Sequence, residues 1–158
     1  MNDSIFDILD DAPDDMIEEA VSPAGTHLFQ VNEEEPIYLD DKASEEFHHI
    51  VARLLFLCKR ARPDLQKAVV FLCTRVQKPD TDSYKKLSRP LKYLHAAVGL
   101  PLILGKDGTS TLSWWVDGAF AIHNDMKIHT GAYRSLGIGA AYASSPKQKL
   151  NTHRSTEA

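Results

Sequence analysis

The sequence predicts an α+β protein in which helices come first and a small antiparallel sheet follows. Between residues 44 and 98, apolar side chains recur every three or four positions, which is the period of a helix with one buried face. After Gly99, short runs rich in β-branched and aromatic residues alternate with turn residues, as in strands joined by tight turns. The first 43 residues show neither pattern, because acidic runs and prolines interrupt them.

Length and composition are those of a single globular domain with a core of its own. The chain has 158 residues, 43% of them hydrophobic, and this excludes collagen-like, disulfide-scaffold and wholly disordered classes. No run approaches the ~18 consecutive apolar residues of a membrane span, and the N-terminus lacks the pattern of a signal peptide. We therefore expect an intracellular protein, in the cytoplasm or the nucleus, without a membrane partner. Cys58 and Cys73 form no CxxC pattern, and we expect small buried hydrophobes rather than a metal or redox pair.

Charge divides the chain into two regions of opposite sign. Residues 1–46 carry 15 Asp and Glu against one Lys, whereas the other 112 residues carry 17 Lys and Arg against seven acids. The basic part would attract a polyanion, and the acidic part would repel it or fold back on the basic surface. The alternative is a solvated acidic tail on an ordinary domain.

The helical region is expected to begin after an acidic linker. Residues 1–43 are interpreted as largely irregular, with one short helix near the start. Ser44 is the predicted N-cap of the first long helix, and Glu45 and Glu46 suit its positive N-terminus.

Two further helices follow. Pro63 opens the second, which we expect to stop before Pro79. The third is predicted over residues 81–97, with a kink at Pro90.

The last third of the chain is predicted to form strands. A turn is expected at residues 106–108, further turns at 124–125 and 137–139, and the last three strands should form a three-stranded antiparallel meander. The strands are expected at residues 100–104, 112–121, 130–136 and 140–144. Residues 155–157 are typical of a helix start, although the chain stops at Ala158.

A short motif, Tyr38-Leu39-Asp40-Asp41, has the YxDD form of a polymerase site in which paired carboxylates hold two metal ions. Such a motif needs apolar strands on both sides, whereas acidic residues precede and follow this one. The catalytic interpretation is therefore disfavoured.

Asp117 is the better candidate acid. No other Asp, Glu, Lys or Arg occurs between residues 108 and 124. Because a buried unpaired carboxylate is unfavourable, Asp117 either faces water or holds a cation, and both alternatives stay open. His123, His129 and His153 show no metal-ligand spacing and are expected to be loop or surface histidines.

Basic side chains form two candidate nucleic-acid-binding clusters, one on a face of the third helix and one around the last loop. A solvated charged face is the alternative for each cluster. The first consists of Lys85, Arg89 and Lys92, and the second of Lys147, Lys149 and Arg154.

Three segments resemble the polyprotein of copia-type LTR retrotransposons, over the stretch from the end of the reverse transcriptase into ribonuclease H. They are FHHIVARLLFLCKRARPDLQKAVVFLCTRV (47–76), WWVDGAFAIHNDMKIHTGAYRSLGIGA (114–140) and KQKLNTHRSTEA (147–158). The most specific markers are KRARPDLQKAV, the VD of the first ribonuclease H strand, HTG on the second strand, and KQK…STEA before the first helix.

The resemblance implies a domain order and a set of partners. Residues 1–43 would be an acidic linker, 44–98 a helical segment like the thumb and connection, and 99–158 a truncated ribonuclease H-like domain. The implied partners are an RNA–DNA hybrid and the rest of the polyprotein, and the implied cofactor is Mg²⁺.

The resemblance also assigns residues. Asp117 matches the first metal-binding aspartate of the ribonuclease H fold, and Glu157 is the neighbour of the family's catalytic glutamate or that residue itself. Pro90, Arg134 and Ile138 depart from the family's pattern. Because one acid cannot assemble a two-metal site, we expect neither polymerase nor ribonuclease activity from this chain alone. The alternatives are a non-catalytic nucleic-acid-binding remnant and an inert product of a decayed element.

Overall fold

The computed structural model describes residues 2–13, 16, 19–31 and 34–149. The chain divides into two units, Met1–Leu100 and Pro101–Ala158. Among the described residues, helices lie in the first unit and antiparallel strands in the second, which confirms the mixed α+β class. No helix in these ranges is both long and apolar enough to cross a membrane.

The first long helix begins earlier than the sequence indicates. Helix α1 spans Asn2–Asp10 and α2 spans Asp41–Arg60. The predicted N-cap Ser44 is wrong, because the carboxylate of Asp40 accepts the Ala43 amide hydrogen at 2.8 Å and caps α2. The side chains that α2 buries repeat at helical spacing and are Phe47, Ile50, Val51, Leu54, Leu57 and Cys58.

The second helix is a 3₁₀ turn at Pro63–Leu65 continued by α3, Gln66–Cys73. Arg62, which is only 2% exposed, joins this turn to the end of the last helix. Its Nε and Nη2 donate to the carboxylate of Asp64 at 3.0 and 2.8 Å, and its Nη1 donates to the carbonyl of Ala97 at 2.8 Å. The Arg62–Asp64 pair is thus an internal clamp of the first unit.

Helix α4 spans Thr81–Ala96 and is capped by Asp80, whose carboxylate accepts the Ser83 amide hydrogen at 2.7 Å. The helix continues through Pro90, which is buried. Leu87 and Leu91 are fully buried on either side of the proline, so both halves of α4 pack into one core.

The acidic N-terminal segment packs on the helices. Ile5 and Ile8 of α1 are buried, and so are Leu28 and Phe29. The Phe29 ring lies edge-on to Phe71 of α3, with ring centroids 5.5 Å apart. Of the two alternatives raised by the charge pattern, the described part of this segment therefore folds back on the helical unit.

The second unit contains the predicted meander and a smaller sheet. Its strands are β1 Gly105–Lys106, β2 Ser113–Ala119, β3 His129–Ser135, β4 Gly137–Ile138 and β5 Tyr142–Ser144.

Strands β2, β3 and β5 form one antiparallel sheet in that order, and β1 pairs with β4 in another. The strand predicted at residues 100–104 is wrong, since pairing begins only at Gly105. Pro101 has no amide hydrogen to donate to a neighbouring strand, which disfavours pairing there.

Candidate functional site

Asp117 lies near the middle of β2, opposite Gly131 of β3. Its side chain is exposed, and its Oδ1 accepts the amide hydrogen of Gly118 at 2.8 Å. In the described residues Asp117 forms no salt bridge. The carboxylate is therefore accessible from solvent.

A magnesium site does not form around Asp117 within the part of the chain that the structure describes. No group of three or more His, Cys, Asp or Glu side chains there is arranged to hold a metal ion. Mg²⁺ requires octahedral oxygen ligands and is usually held by carboxylates together with substrate phosphates. The described residues therefore do not fit the ion, and Glu157 lies outside them together with Arg154 and His153.

Aromatic side chains flank Asp117 on both faces of the sheet. Trp115, on the same face as Asp117, stacks on Tyr133 with centroids 4.5 Å apart and an interplanar angle of 6°. On the other face, the Arg134 guanidinium lies 4.4 Å from the ring centres of both Trp114 and Tyr142. These cross-strand contacts stabilise a sheet whose large side chains stay half exposed.

The YxDD motif is part of the helix framework. Tyr38 bridges to Asp80, Asp40 caps α2, and Asp41 is the first residue of that helix. The two carboxylates thus lie at a helix start rather than on a hairpin, in agreement with the interpretation that the sequence favoured.

The basic cluster on α4 is partly engaged by the N-terminal segment. Lys85 is exposed, and Lys92 is half-buried with a contact of its own. Arg89 donates from Nε to the carbonyl of Ser22 at 3.2 Å and from Nη2 to its hydroxyl at 3.0 Å. Lys86, which the sequence did not single out, pairs with Asp82 at 2.7 Å.

The second basic cluster is also partly engaged. Lys147 pairs with Asp125 at 2.9 Å, and Lys127 approaches the same carboxylate at 3.3 Å. Burial alone would raise the pKa of Asp125, but the hydrogen bonds and charges of the two lysines lower it to about 2. Lys149 is exposed.

His123 and His129 form a buried pair. His123 lies in the loop between β2 and β3, as expected, whereas the expectation is wrong for His129, the first residue of β3. Each is 6% exposed, and Nε2 of His123 lies 3.1 Å from Nδ1 of His129. Nε2 of His129 lies 2.7 Å from the hydroxyl of Ser145. Their spacing gives no signal of this contact, because the intervening turn includes Met126 at a φ of 60°, which the sequence does not reveal.

The stability of the second unit is expected to fall as the pH drops below neutrality. Burial, reinforced by Lys147 and Lys127 and opposed by Asp125, lowers the pKa of His123 from its ordinary value of 6.5. The unfolded chain then binds a proton more readily than the folded one, so stability is complete above about pH 6.5 and declines below it. Urea midpoints followed by tryptophan fluorescence at about pH 7.5 and about pH 5 will measure this decline.

The matched control is His123→Gln, which removes the titrating ring. Its midpoint should change less over the same pH interval than that of the unaltered chain. Equal pH dependence in the two proteins would contradict the assignment to His123.

Comparisons with known proteins leave the function to be argued from the residues themselves. No family model matches this sequence, and neither a curated protein nor a solved structure matches it. Function is therefore inferred from the sequence motifs and from the positions of Asp117 and the basic side chains.

Proposed function

We propose that this chain corresponds to the stretch of a copia-type LTR retrotransposon polyprotein that runs from the end of the reverse transcriptase into ribonuclease H. The observation that carries the proposal is the exposed carboxylate of Asp117, on the first long strand of a three-stranded antiparallel sheet. The markers KRARPDLQKAV, HTG and KQK…STEA support it, as does the order of helices before strands. In the polyprotein this region would hold an RNA–DNA hybrid.

Asp117 would contribute to chemistry only together with further carboxylates. Hydrolysis by two metal ions needs several acids that converge on the scissile phosphate. The described residues bring no second acid into a metal-binding group with Asp117. The proposed role of this residue is therefore that of one ligand in a larger Mg²⁺ site, and the chain alone should be inactive.

Binding of the hybrid by this chain is expected to be weak. The first unit carries 18 Asp and Glu against 12 Lys and Arg, a formal net charge of −6. Arg89 and Lys147 already contact other residues, whereas Lys85 and Lys149 are exposed. Two phosphate contacts would give a slope of about −2 for the logarithm of affinity against that of salt concentration.

A hydrolysis and binding assay on a labelled RNA–DNA hybrid tests the proposal. We expect no cleavage of the RNA strand with Mg²⁺ or Mn²⁺, and binding whose salt slope falls by about one on Lys85→Gln or Lys149→Gln. Cleavage that is lost on Asp117→Asn would show that the chain is active by itself. Absence of binding at low salt would instead favour an inert product.

A non-catalytic nucleic-acid-binding module is the second candidate, and the exposure of Lys85 and Lys149 favours it. Exposed lysines attract any nucleic-acid backbone, whereas a connection and ribonuclease H region should prefer the hybrid. Equal affinity for the hybrid and for a DNA duplex of the same sequence would therefore favour this module over the proposed region.

A further inference from the structure

A cleft of about 420 Å³ lies between the N-terminal segment and α4. Residues 24–28 form one wall, and α4 supplies the other through Asp82, Lys85, Lys86 and Arg89. This volume lies within the range of small-molecule sites in proteins.

The helix wall carries two cationic groups with unused hydrogen-bonding capacity. Lys86 is paired with Asp82, so these two charges balance. Arg89 uses Nε and Nη2 on Ser22, and within the described residues its Nη1 and the amino group of Lys85 have no hydrogen-bond partner. Lys85 and Arg89 therefore give the cleft a net charge of +2.

Residues 24–28, which form the opposite wall, belong to the packed first unit and lie close to the Arg89 guanidinium. Phe29, just after this wall, is buried against Phe71, and the Lys67 amino group lies 5.4 Å from the Phe29 ring centre. A Cβ atom at Gly25 would lie 3.9 Å from Cδ and 4.0 Å from Nη1 of Arg89. A side chain longer than that of alanine at Gly25 would therefore take up the space beside Nη1.

We propose that this cleft binds the phosphate group of a nucleoside monophosphate, with Lys85 and Nη1 of Arg89 as the donors. A phosphate dianion matches an excess of two positive charges, and charge-assisted bonds from Lys and Arg are the strongest that such a group accepts. The same group could come from a free nucleotide or from the phosphorylated end of an oligonucleotide. The inference shares Lys85 with the proposed binding of the hybrid, but it requires neither Asp117 nor the sheet.

Calorimetric titration of the full chain with AMP, and with adenosine as the ligand lacking phosphate, tests the inference. We expect AMP to bind and adenosine not to bind, with the Kd for AMP rising about tenfold on Lys85→Gln. Lys59→Gln removes an exposed lysine of α2 outside the cleft and should leave the Kd unchanged. Lys149→Gln, which should weaken binding of the hybrid, should also leave the Kd for AMP unchanged, because Lys149 does not line the cleft.

Oligonucleotides with and without a 5′-phosphate distinguish the two sources of the phosphate. Tighter binding of AMP than of the phosphorylated oligonucleotide assigns the site to free nucleotides, and the reverse assigns it to nucleic-acid ends. Binding of adenosine as tight as that of AMP, or equal effects of Lys85→Gln and Lys59→Gln, would overturn the inference.

Gly25→Val provides a second test that removes no charge. The added methyl groups would occupy the space beside Arg89, and we expect AMP binding to weaken at least about tenfold while the circular dichroism spectrum stays the same. Arg89 itself is unsuited to this test, because its bonds to Ser22 also hold the N-terminal segment. Undiminished AMP binding by folded Gly25→Val would show that the phosphate does not enter this cleft.

Discussion

Asp64→Ala is expected to lower the free energy of unfolding of the first unit by about 3–5 kcal/mol, because it leaves the Arg62 guanidinium buried without its counter-charge. The Nε and Nη2 groups of Arg62 donate three hydrogen bonds to the Asp64 carboxylate, and its Nη1 donates to the carbonyl of Ala97 at the end of α4. Burial alone would lower the pKa of Arg62, but the bonds and charge of Asp64 raise it, so the pair folds in its charged form. Urea denaturation followed by far-ultraviolet circular dichroism measures the loss, since the described helices all lie in this unit.

Glu46→Ala is the matched control for the loss of an acidic side chain. Its pair with Lys42 is exposed and 3.8 Å long, so we expect a change of about 0.5 kcal/mol or less. Adding Arg62→Met to Asp64→Ala should recover part of the stability, because the unpaired buried charge at position 62 is then removed. Similar losses from Asp64→Ala and Glu46→Ala would contradict the clamp.

The clamp gives the KRARPDLQKAV marker a structural role. Arg62 and Asp64 lie inside this segment, and both connect elements of the helical unit. The Arg62 guanidinium also lies 5.5 Å from the ring centre of Tyr93 on α4. The resemblance that this marker carries therefore concerns how the helices are held together, whereas the proposed chemistry involves Asp117 together with further carboxylates.

The helices could be predicted because apolar side chains that recur every three or four residues indicate a buried helix face. The ends of the helices depend instead on which side chain caps the first turn. Asp40 and Ser44 are both good capping residues, and the only apolar side chain between them, that of Ala43, is too small to indicate a buried helix face. At Pro90 the sequence predicted a kink, and α4 is one continuous helix through this residue, with buried leucines on both sides. Packing of these leucines offsets the hydrogen bond that proline cannot donate.

The contacts that the sequence did not reveal join residues far apart in the chain. Strand β1 pairs with β4 more than 30 positions later, and Arg89 binds Ser22, 67 positions earlier. The isolation of Asp117 in an apolar strand singled out this acid but left both exposure to water and a bound cation open, and the buried pair of His123 and His129 was not anticipated. Patterns along the chain report which faces are buried, and the partners of polar groups follow only from the fold.

Gly139→Ala is expected to destabilise the second unit by about 2–4 kcal/mol, combining left-handed backbone strain with steric overlap. Gly139 has a φ of +74°, which disfavours every residue with a Cβ atom. A Cβ there would lie 2.0 Å from the carbonyl oxygen of Ile103, so the backbone beside the β1–β4 pair would have to move. Tryptophan fluorescence during urea denaturation reports on this unit, because the chain's two tryptophans, Trp114 and Trp115, both lie in β2.

Gly131→Ala is the control for the same chemical change in the same unit. A Cβ atom at Gly131 would meet no atom within 4 Å, and the residue does not have a positive φ. Its unfolding midpoint should therefore stay close to that of the unaltered chain, because alanine also fits extended backbone better than glycine does. If Gly139→Ala lowers the free energy of unfolding less than Gly131→Ala does, the expected strain and overlap with Ile103 are contradicted.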